Sequence, residues 1–282
     1  MNIKLIAVLG CAALMATTSL ADAPKVAAEA VTTTKDNAKS IDLAGIMKTI
    51  NTYVNGGRKG DSKITRKAFM PKATMSWNEN GQRKTVPIQA LYDYVDNAGA
   101  MDVSVDEVKV VAATPTTAVV AAETRFGKDL YTDMFAIVKD GDSWKIAAKV
   151  YHVKKEAKPF NQMSIDREGI LRAVEYYTEG GCKPSAEIGL KAFIPNASMT
   201  WEENGRLQTT NIESLFEMCK TWGRQTVNWH LAGIVATEDT AIVAIEPDFS
   251  VAGSYTDSFA LVKDGDEWKI VAKIYHLKKG KQ

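Results

Sequence analysis

The chain repeats itself. Ile46-Met47-Lys48 is matched by Ile170-Leu171-Arg172, and Tyr53-Val54-Asn55-Gly56-Gly57 by Tyr177-Thr178-Glu179-Gly180-Gly181. Lys67-Ala68-Phe69-Met70-Pro71 is matched by Lys191-Ala192-Phe193-Ile194-Pro195, and Trp77-Asn78-Glu79-Asn80-Gly81 by Trp201-Glu202-Glu203-Asn204-Gly205. The closing block, Tyr131 to Lys154 against Tyr255 to Lys278, is identical at about 18 of 24 positions. The offset is the same at both ends, so the copies have nearly equal length. Such a unit is far longer than a solenoid repeat and can bury a core of its own. A length of 282 residues fits two domains of this kind.

The repeat places the first domain at residues 41–154 and the second at 165–282. Residues 155–164, with Glu156, Pro159 and Asn161 and no apolar periodicity, read as a linker. Residues 22–40, rich in Ala, Thr and Lys, read as a flexible N-terminal segment. Residues 1–21 have the form of a signal peptide. Lys4 precedes a mostly apolar run from Leu5 to Leu20, and Ser19-Leu20-Ala21 supplies a small-x-small exit. The mature protein is therefore expected in the periplasm or secreted. A retained anchor is disfavoured by the short run and by Gly10, Thr17, Thr18 and Ser19, and Cys11 comes too early for a lipoprotein signal. No later stretch is apolar and long enough to span a membrane, so no membrane partner is expected after signal removal. Thirty-five basic residues balance 34 acidic ones, with no basic block interleaved with aromatics, so no nucleic-acid partner is expected. The mature chain keeps Cys182 and Cys219. In an oxidising compartment they could form one disulfide or stay as two unpaired thiols, and the sequence leaves both open.

Within one copy, Leu43, Ile46, Met47, Ile50 and Val54 recur at helical spacing, and Gly56-Gly57 is expected to stop that helix. Asp61 or Ser62 caps a short second helix carrying Ile64 and Phe69 and ended by Pro71. Ala73 to Trp77 is extended, Asn80-Gly81 is a hairpin turn, and Pro87 opens a third helix. Val103 to Ala113, Ala118 to Phe126, Tyr131 to Lys139 and Trp144 to Val153 read as strands, the last two joined through Asp140-Gly141-Asp142. Helices first and antiparallel strands afterwards give an α+β fold.

Three stretches carry a resemblance: Tyr-x-x-Gly-Gly at the first helix, Ala-Phe-x-Pro-x-Ala after the second, and the closing Tyr-Thr-Asp…Val-Lys-Asp-Gly-Asp-x-Trp-Lys-Ile…Tyr-His. With them the chain resembles the nuclear transport factor 2-like superfamily, and within it the putative lumazine-binding group, in two tandem copies. The resemblance implies two cone-shaped domains, each a curved antiparallel sheet wrapped around three N-terminal helices. It also implies an apolar pocket in each. Domains of this superfamily often pair through the outer sheet face, which implies an intramolecular pseudo-dimer and leaves room for a homo-oligomer. The superfamily includes isomerases, dehydratases, binding proteins and assembly modules, so it does not fix an activity.

Strand alternation points to a candidate site on the closing hairpin. Tyr131, Asp133, Phe135, Ile137 and Lys139 share one face, and so do Trp144, Ile146, Ala148, Val150 and His152 on the next strand. With Lys139 opposite Trp144, Tyr131 falls opposite His152, and Asp133 becomes its diagonal neighbour. The second copy repeats the set as Tyr255, Asp257 and His276. This apolar face should be the helix-covered interior, and the opposite face, with Thr132, Met134, Lys145, Lys149 and Tyr151, the outer one. An Asp/His/Tyr cluster in such a pocket could act as acid, base and oxyanion donor, or could simply pin the hairpin end. Trp77, Trp144, Phe135 and their counterparts Trp201, Trp268 and Phe259 are the candidate ligand-binding aromatics, suited to a flat heterocyclic small molecule. Glu123 and Glu246 could reach a pocket or solvent, Arg125 is replaced by Asp248, and His230 reads as a surface or packing residue. Three His and two mature Cys without ligand spacing give no metal site, and no cofactor motif is present. The expected function is small-molecule binding, with an isomerase or dehydratase, or a protein-interaction module, as alternatives.

Overall fold

The computed structural model describes residues 41–154 and 165–278. The expected signal peptide at 1–21, the expected flexible segment at 22–40 and the expected linker at 155–164 lie outside the described residues. Each copy opens with a long helix, α1 (Leu43–Lys59) or α4 (Arg167–Cys182). Asp42 and Asp166 cap these helices, each accepting from the backbone N–H three residues on. The apolar stripe of Ile46, Ile50, Tyr53 and Val54 is buried against the sheet. α1 does not stop at Gly56-Gly57; it runs through them to Gly60, whose φ of 60° forms the left-handed cap. The glycines serve close packing instead. A Cβ on Gly56 would lie 2.8 Å from the Thr65 backbone N, and one on Gly180 would lie 2.5 Å from that of Gly189. That space admits the short helices α2 (Ser62–Thr65) and α5 (Ala186–Gly189).

The second helix is shorter than expected. It passes into a 3-10 turn at Arg66–Ala68, and Phe69 and Pro71 already belong to β1 (Phe69–Glu79). Asn80 and Gly81 both take positive φ, 54° and 80°, and turn the chain into β2 (Gln82–Pro87). Pro87 closes β2 rather than opening a helix, and α3 runs over Gln89–Ala98. β3 (Val103–Ala113), β4 (Thr117–Phe126), β5 (Asp129–Asp140) and β6 (Ser143–Lys154) follow. The second copy repeats the order with β7 (Phe193–Glu203), β8 (Arg206–Asn211), α6 (Glu213–Trp222), β9 (Val227–Ala236), β10 (Thr240–Phe249), β11 (Gly253–Asp264) and β12 (Glu267–Leu277). The sheet orders are β2-β1-β6-β5-β4-β3 and β8-β7-β12-β11-β10-β9. Only the β1–β6 and β7–β12 pairs are parallel. The fold is α+β, two tandem cones, each sheet curved around its own helices.

The two sheets also pack on each other through their outer faces, β5 against β7 and β8, and β11 against β1 and β2. Met134, Ala136 and Val138 on the outer face of β5 are therefore as buried as Phe135 and Ile137 on the inner face. Burial on both faces explains the unbroken apolar runs Ala118–Ala122 and Ala241–Ile245. The hairpin tips lock reciprocally: Gly141 donates its N–H to the Gly205 carbonyl, and Gly265 to that of Gly81, at 2.8 Å each. β9 meets β3 at Gly233, where a Cβ would lie 2.6 Å from the Val111 carbonyl oxygen. Cys182 and Cys219 are both free thiols. Among the described residues, no helix is long and apolar enough to cross a membrane.

Candidate functional site

The closing hairpin begins in the expected register, with Lys139 opposite Trp144 and Ile137 opposite Ile146. Ala147 then bulges out of the ladder, and pairing resumes with Ala136 opposite Ala148. One extra residue turns every later side chain of β6 to the opposite face. Asp133 thus lies opposite Tyr151 rather than Val150, and Tyr131 opposite Val153 rather than His152. β12 has the same irregularity at Val271, which sets Asp257 opposite Tyr275 and His276 opposite Thr256.

The expected Asp133–His152 and Asp257–His276 pairs consequently do not form. His152 points to the outer face, where its Nδ1 lies 2.7 Å from Asp239 of the other domain. His276 Nδ1 lies 2.7 Å from Thr116 Oγ1 across the same interface. Lys149 and Tyr151, expected outside, swing in, as do Lys273 and Tyr275.

The inner site is a buried ion pair clamped by a tyrosine from the long helix. In the first domain Asp133 accepts from Tyr53 Oη at 2.9 Å, Thr124 Oγ1 at 3.0 Å and the Lys149 ammonium. In the second, Asp257 accepts from Tyr177 Oη at 2.5 Å and Lys273 Nζ at 2.6 Å. Pro247 stands at the strand position of Thr124, so the second carboxylate lacks the third donor. A carboxylate and an ammonium this deep are tolerable only because they pair and are hydrogen-bonded. Burial draws the Lys273 pKa below its ordinary value, against the opposing pull of Asp257. Burial and then the Asp257 charge push Tyr177 well up, and burial raises Tyr255 and Tyr275 as well.

Beside this pair the second domain holds a cavity of about 50 Å³. Asp257, Lys273, Tyr177, Tyr255, Tyr275 and Gln225 are the polar residues of its lining, and Phe216 and Cys219 are among the apolar ones. Met218, also on the wall, is 42% exposed and marks the mouth beside α6. Burial pushes the Cys219 thiol up to about 11. The packing around Gly57 of the first domain is tighter than around the equivalent Gly181. An ideal Cβ on Gly57 would meet the Phe126 ring at 3.0 Å, with Val103 and Met101 next, whereas one on Gly181 would meet Phe249 alone, at 3.4 Å. Gln225, at the position of Met101, is tied to the backbone of Gly181, Val251 and Ala252.

Of the expected site residues, Asp257 and Tyr255 line this cavity. The expected ligand-binding aromatics Trp77, Trp144, Phe135, Trp201, Trp268 and Phe259 do not. Trp144 and Trp268 donate their indole N–H to the capping carboxylates of Asp42 and Asp166, at 3.0 Å each. Phe135 and Phe259 stand edge-on to Tyr53 and Tyr177 in the core. Trp77 and Trp201 stack on Tyr151 and Tyr275 at 5.5 Å, so Trp201 supports a wall residue from behind. Tyr131 packs against Phe126 and Tyr151. Glu123, of intermediate burial, pairs with Lys154, while Glu246 is held by His230 and Lys278. Arg125 lies 3.8 Å from Asp106. The residues missed were Tyr177 and Lys273 and their first-domain counterparts. Their signal was a lone lysine inside an apolar run, Ile-x-Ala-Lys, retained in both copies beside the Tyr-x-x-Gly-Gly helix. Among the described residues, no three His, Cys, Asp or Glu side chains converge as a metal site.

The family described as putative lumazine-binding matches residues 41–152 and again 165–276. Aldolase FrzH of Cladobotryum sp is 30% identical over 115 residues, covering 40% of this chain and 92% of that protein. Among solved structures, an NTF2-like protein of unknown function from Shewanella baltica OS155 is 25% identical, covering 44% of this chain and 100% of its own, with a TM-score of 0.39. One from Methylobacillus flagellatus KT, also of unknown function, is 24% identical, covering 44% and 97%, with a TM-score of 0.38. The family match spans most of the chain and falls once on each cone: the protein belongs to the putative lumazine-binding family, carried in two tandem copies.

Proposed function

We propose that this is an exported small-molecule-binding protein whose second domain takes a small, mainly apolar ligand into the cavity beside Asp257 and Lys273. The observation that carries the reading is a mostly apolar cavity with a few polar groups on its wall, the Asp257–Lys273 pair among them, a composition that can fix a ligand's orientation. The family match supports it, and the signal-like N-terminus supports export. A flat heterocycle with one polar edge fits the Tyr275 and Phe216 walls. The Asp257–Lys273 pair would leave little room for a ligand with net charge, because the site is already neutral.

A second reading, acid–base catalysis, is favoured by one observation: the Asp257 carboxylate lies on the cavity wall rather than sealed behind it. The relative named an aldolase gives this reading a reaction class, proton transfer or bond formation next to a carbonyl. In it Asp257 and Lys273 replace the Asp/His pair expected from the sequence.

Native mass spectrometry of the mature protein from its own host tests the binding reading. A discrete excess mass, lost on denaturation and absent from a Gly181→Leu variant that fills the cavity, is the expected result. A ligand retained equally by that variant would place binding elsewhere.

A further inference from the structure

Lys273 is a primary amine on the wall of a mainly apolar cavity, and the binding reading above gives it no chemical task. Only 3% of its surface is exposed. Its Nζ lies 2.6 Å from Asp257 Oδ1 and 4.4 Å above the Tyr275 ring. Tyr177 holds the other carboxylate oxygen, Oδ2, at 2.5 Å. Lys149 has the same surroundings in the first domain, but there Asp133 carries the extra Thr124 donor and the packing around Gly57 is tighter. The two copies thus contain one chemical arrangement in two settings, one beside a described cavity.

We propose that Lys273 is a nucleophile that condenses with a small neutral ketone or aldehyde in this cavity to form an imine held against Asp257. This rests on the reading that the cavity takes a small molecule. Charge selects the carbonyl class. An anionic ligand would bring an unpaired charge into an apolar space whose ammonium is already neutralised, and that is costly. A neutral carbonyl brings none.

The step balances within the site. Proton transfer from the Lys273 ammonium to Asp257 yields a neutral amine and a carboxylic acid. The amine nitrogen lone pair forms the N–C bond as the carbonyl π bond breaks, and the Asp257 acid protonates the carbonyl oxygen, giving a carbinolamine. Loss of that hydroxyl as water, with a proton returned through Asp257, forms the C=N bond. In sum, ammonium plus carbonyl give iminium plus water. The iminium carries the charge the ammonium carried and keeps Asp257 as its counter-ion, so the buried charge is unchanged across the reaction. Burial, which disfavours the ammonium, makes the neutral amine accessible, as in lysines that form Schiff bases in apolar pockets. The iminium then draws electrons from the adjacent carbon, which lets a base remove a proton there.

The test uses full-length mature protein and 2,4-pentanedione, a neutral diketone that converts a reactive buried amine into a stable vinylogous amide with its own near-ultraviolet absorbance. The expected result is one adduct per chain, mapped by peptide mass spectrometry to Lys273, with Lys149 in the same molecule unmodified. Acetone with borohydride should leave an isopropyl group at the same residue. Adducts spread over exposed lysines with Lys273 untouched would overturn the proposal. Diketone that raises thermal stability and remains bound in native spectra without absorbance or adduct would sink the imine and leave the binding reading standing. Diketone that neither binds nor labels would count against both. Mapping on the wild-type chain keeps the result independent of whether a Lys273→Arg variant folds; where it does, the absorbance should be lost.

Discussion

Asp257 and Lys273 show at the scale of single residues how a carboxylate and an ammonium survive without water. Each neutralises the other, and Tyr177 satisfies a remaining lone pair. Removing one member leaves a buried charge, whereas removing both removes the problem. Asp257→Asn should therefore destabilise the protein by about 3–5 kcal/mol, and Asp257→Leu combined with Lys273→Met by much less. Urea unfolding of the two variants checks this; equal losses would mean that the pair is not coupled. At Asp133 the Thr124 hydroxyl adds a third donor, so Thr124→Val should cost about 1 kcal/mol in the same assay.

At the scale of elements, the bulges in β6 and β12 determine what the site contains. They exchange His for Lys on the inner face, and they do so in both copies. Each long helix is tied to its hairpin by a second device, an N-cap carboxylate that also accepts from a tryptophan on the last strand. The Trp144 N–H, with that of Gly45, holds Asp42 below the ordinary carboxylate value; the Gly169 amide and Trp268 do the same for Asp166. A depressed carboxylate contributes stability that is present above its unfolded pKa and lost as the pH falls through the folded one. The window therefore lies below about pH 4. Both groups are exposed enough for solvent to screen part of the effect. Asp42→Asn with Asp166→Asn should be less stable than wild type at neutral pH, and the gap should narrow at pH 3. Denaturation followed by tryptophan fluorescence measures it, and a gap independent of pH would remove the carboxylates from the account.

For the whole molecule, the outer sheet faces that would be wet in a single cone are covered by the other cone. Gly233 permits this, because any side chain there would strike the Val111 backbone across the interface. Gly233→Ala should loosen the pairing of the domains and cost about 1–3 kcal/mol. Hydrogen exchange should then rise along β3 and β9 while the α4–β12 core stays protected; unchanged exchange at β3 would show that the strand shifts without cost.

The sequence by itself determined the duplication, the α+β order, the four closing strands of each copy to within a residue or two and the turns at Asn80-Gly81 and Asp140-Gly141. These follow from local patterns: apolar periods of 3.6 and 2, and glycines where φ must be positive. It also singled out Asp133 and Asp257 as buried carboxylates, since a charge in an apolar alternating strand has to find a partner. It could not supply the partner. Ala147 and Val271 look like any other apolar strand residue, and whether such a residue pairs or bulges depends on the neighbouring strand and on the helices packed beneath it. Through that one choice the fold placed Lys273 with Asp257 and sent His276 to the interface between domains. The helix-long role of Gly56-Gly57 and the cavity beside Phe249 likewise came only from packing, where atoms distant in sequence decide how much space is left.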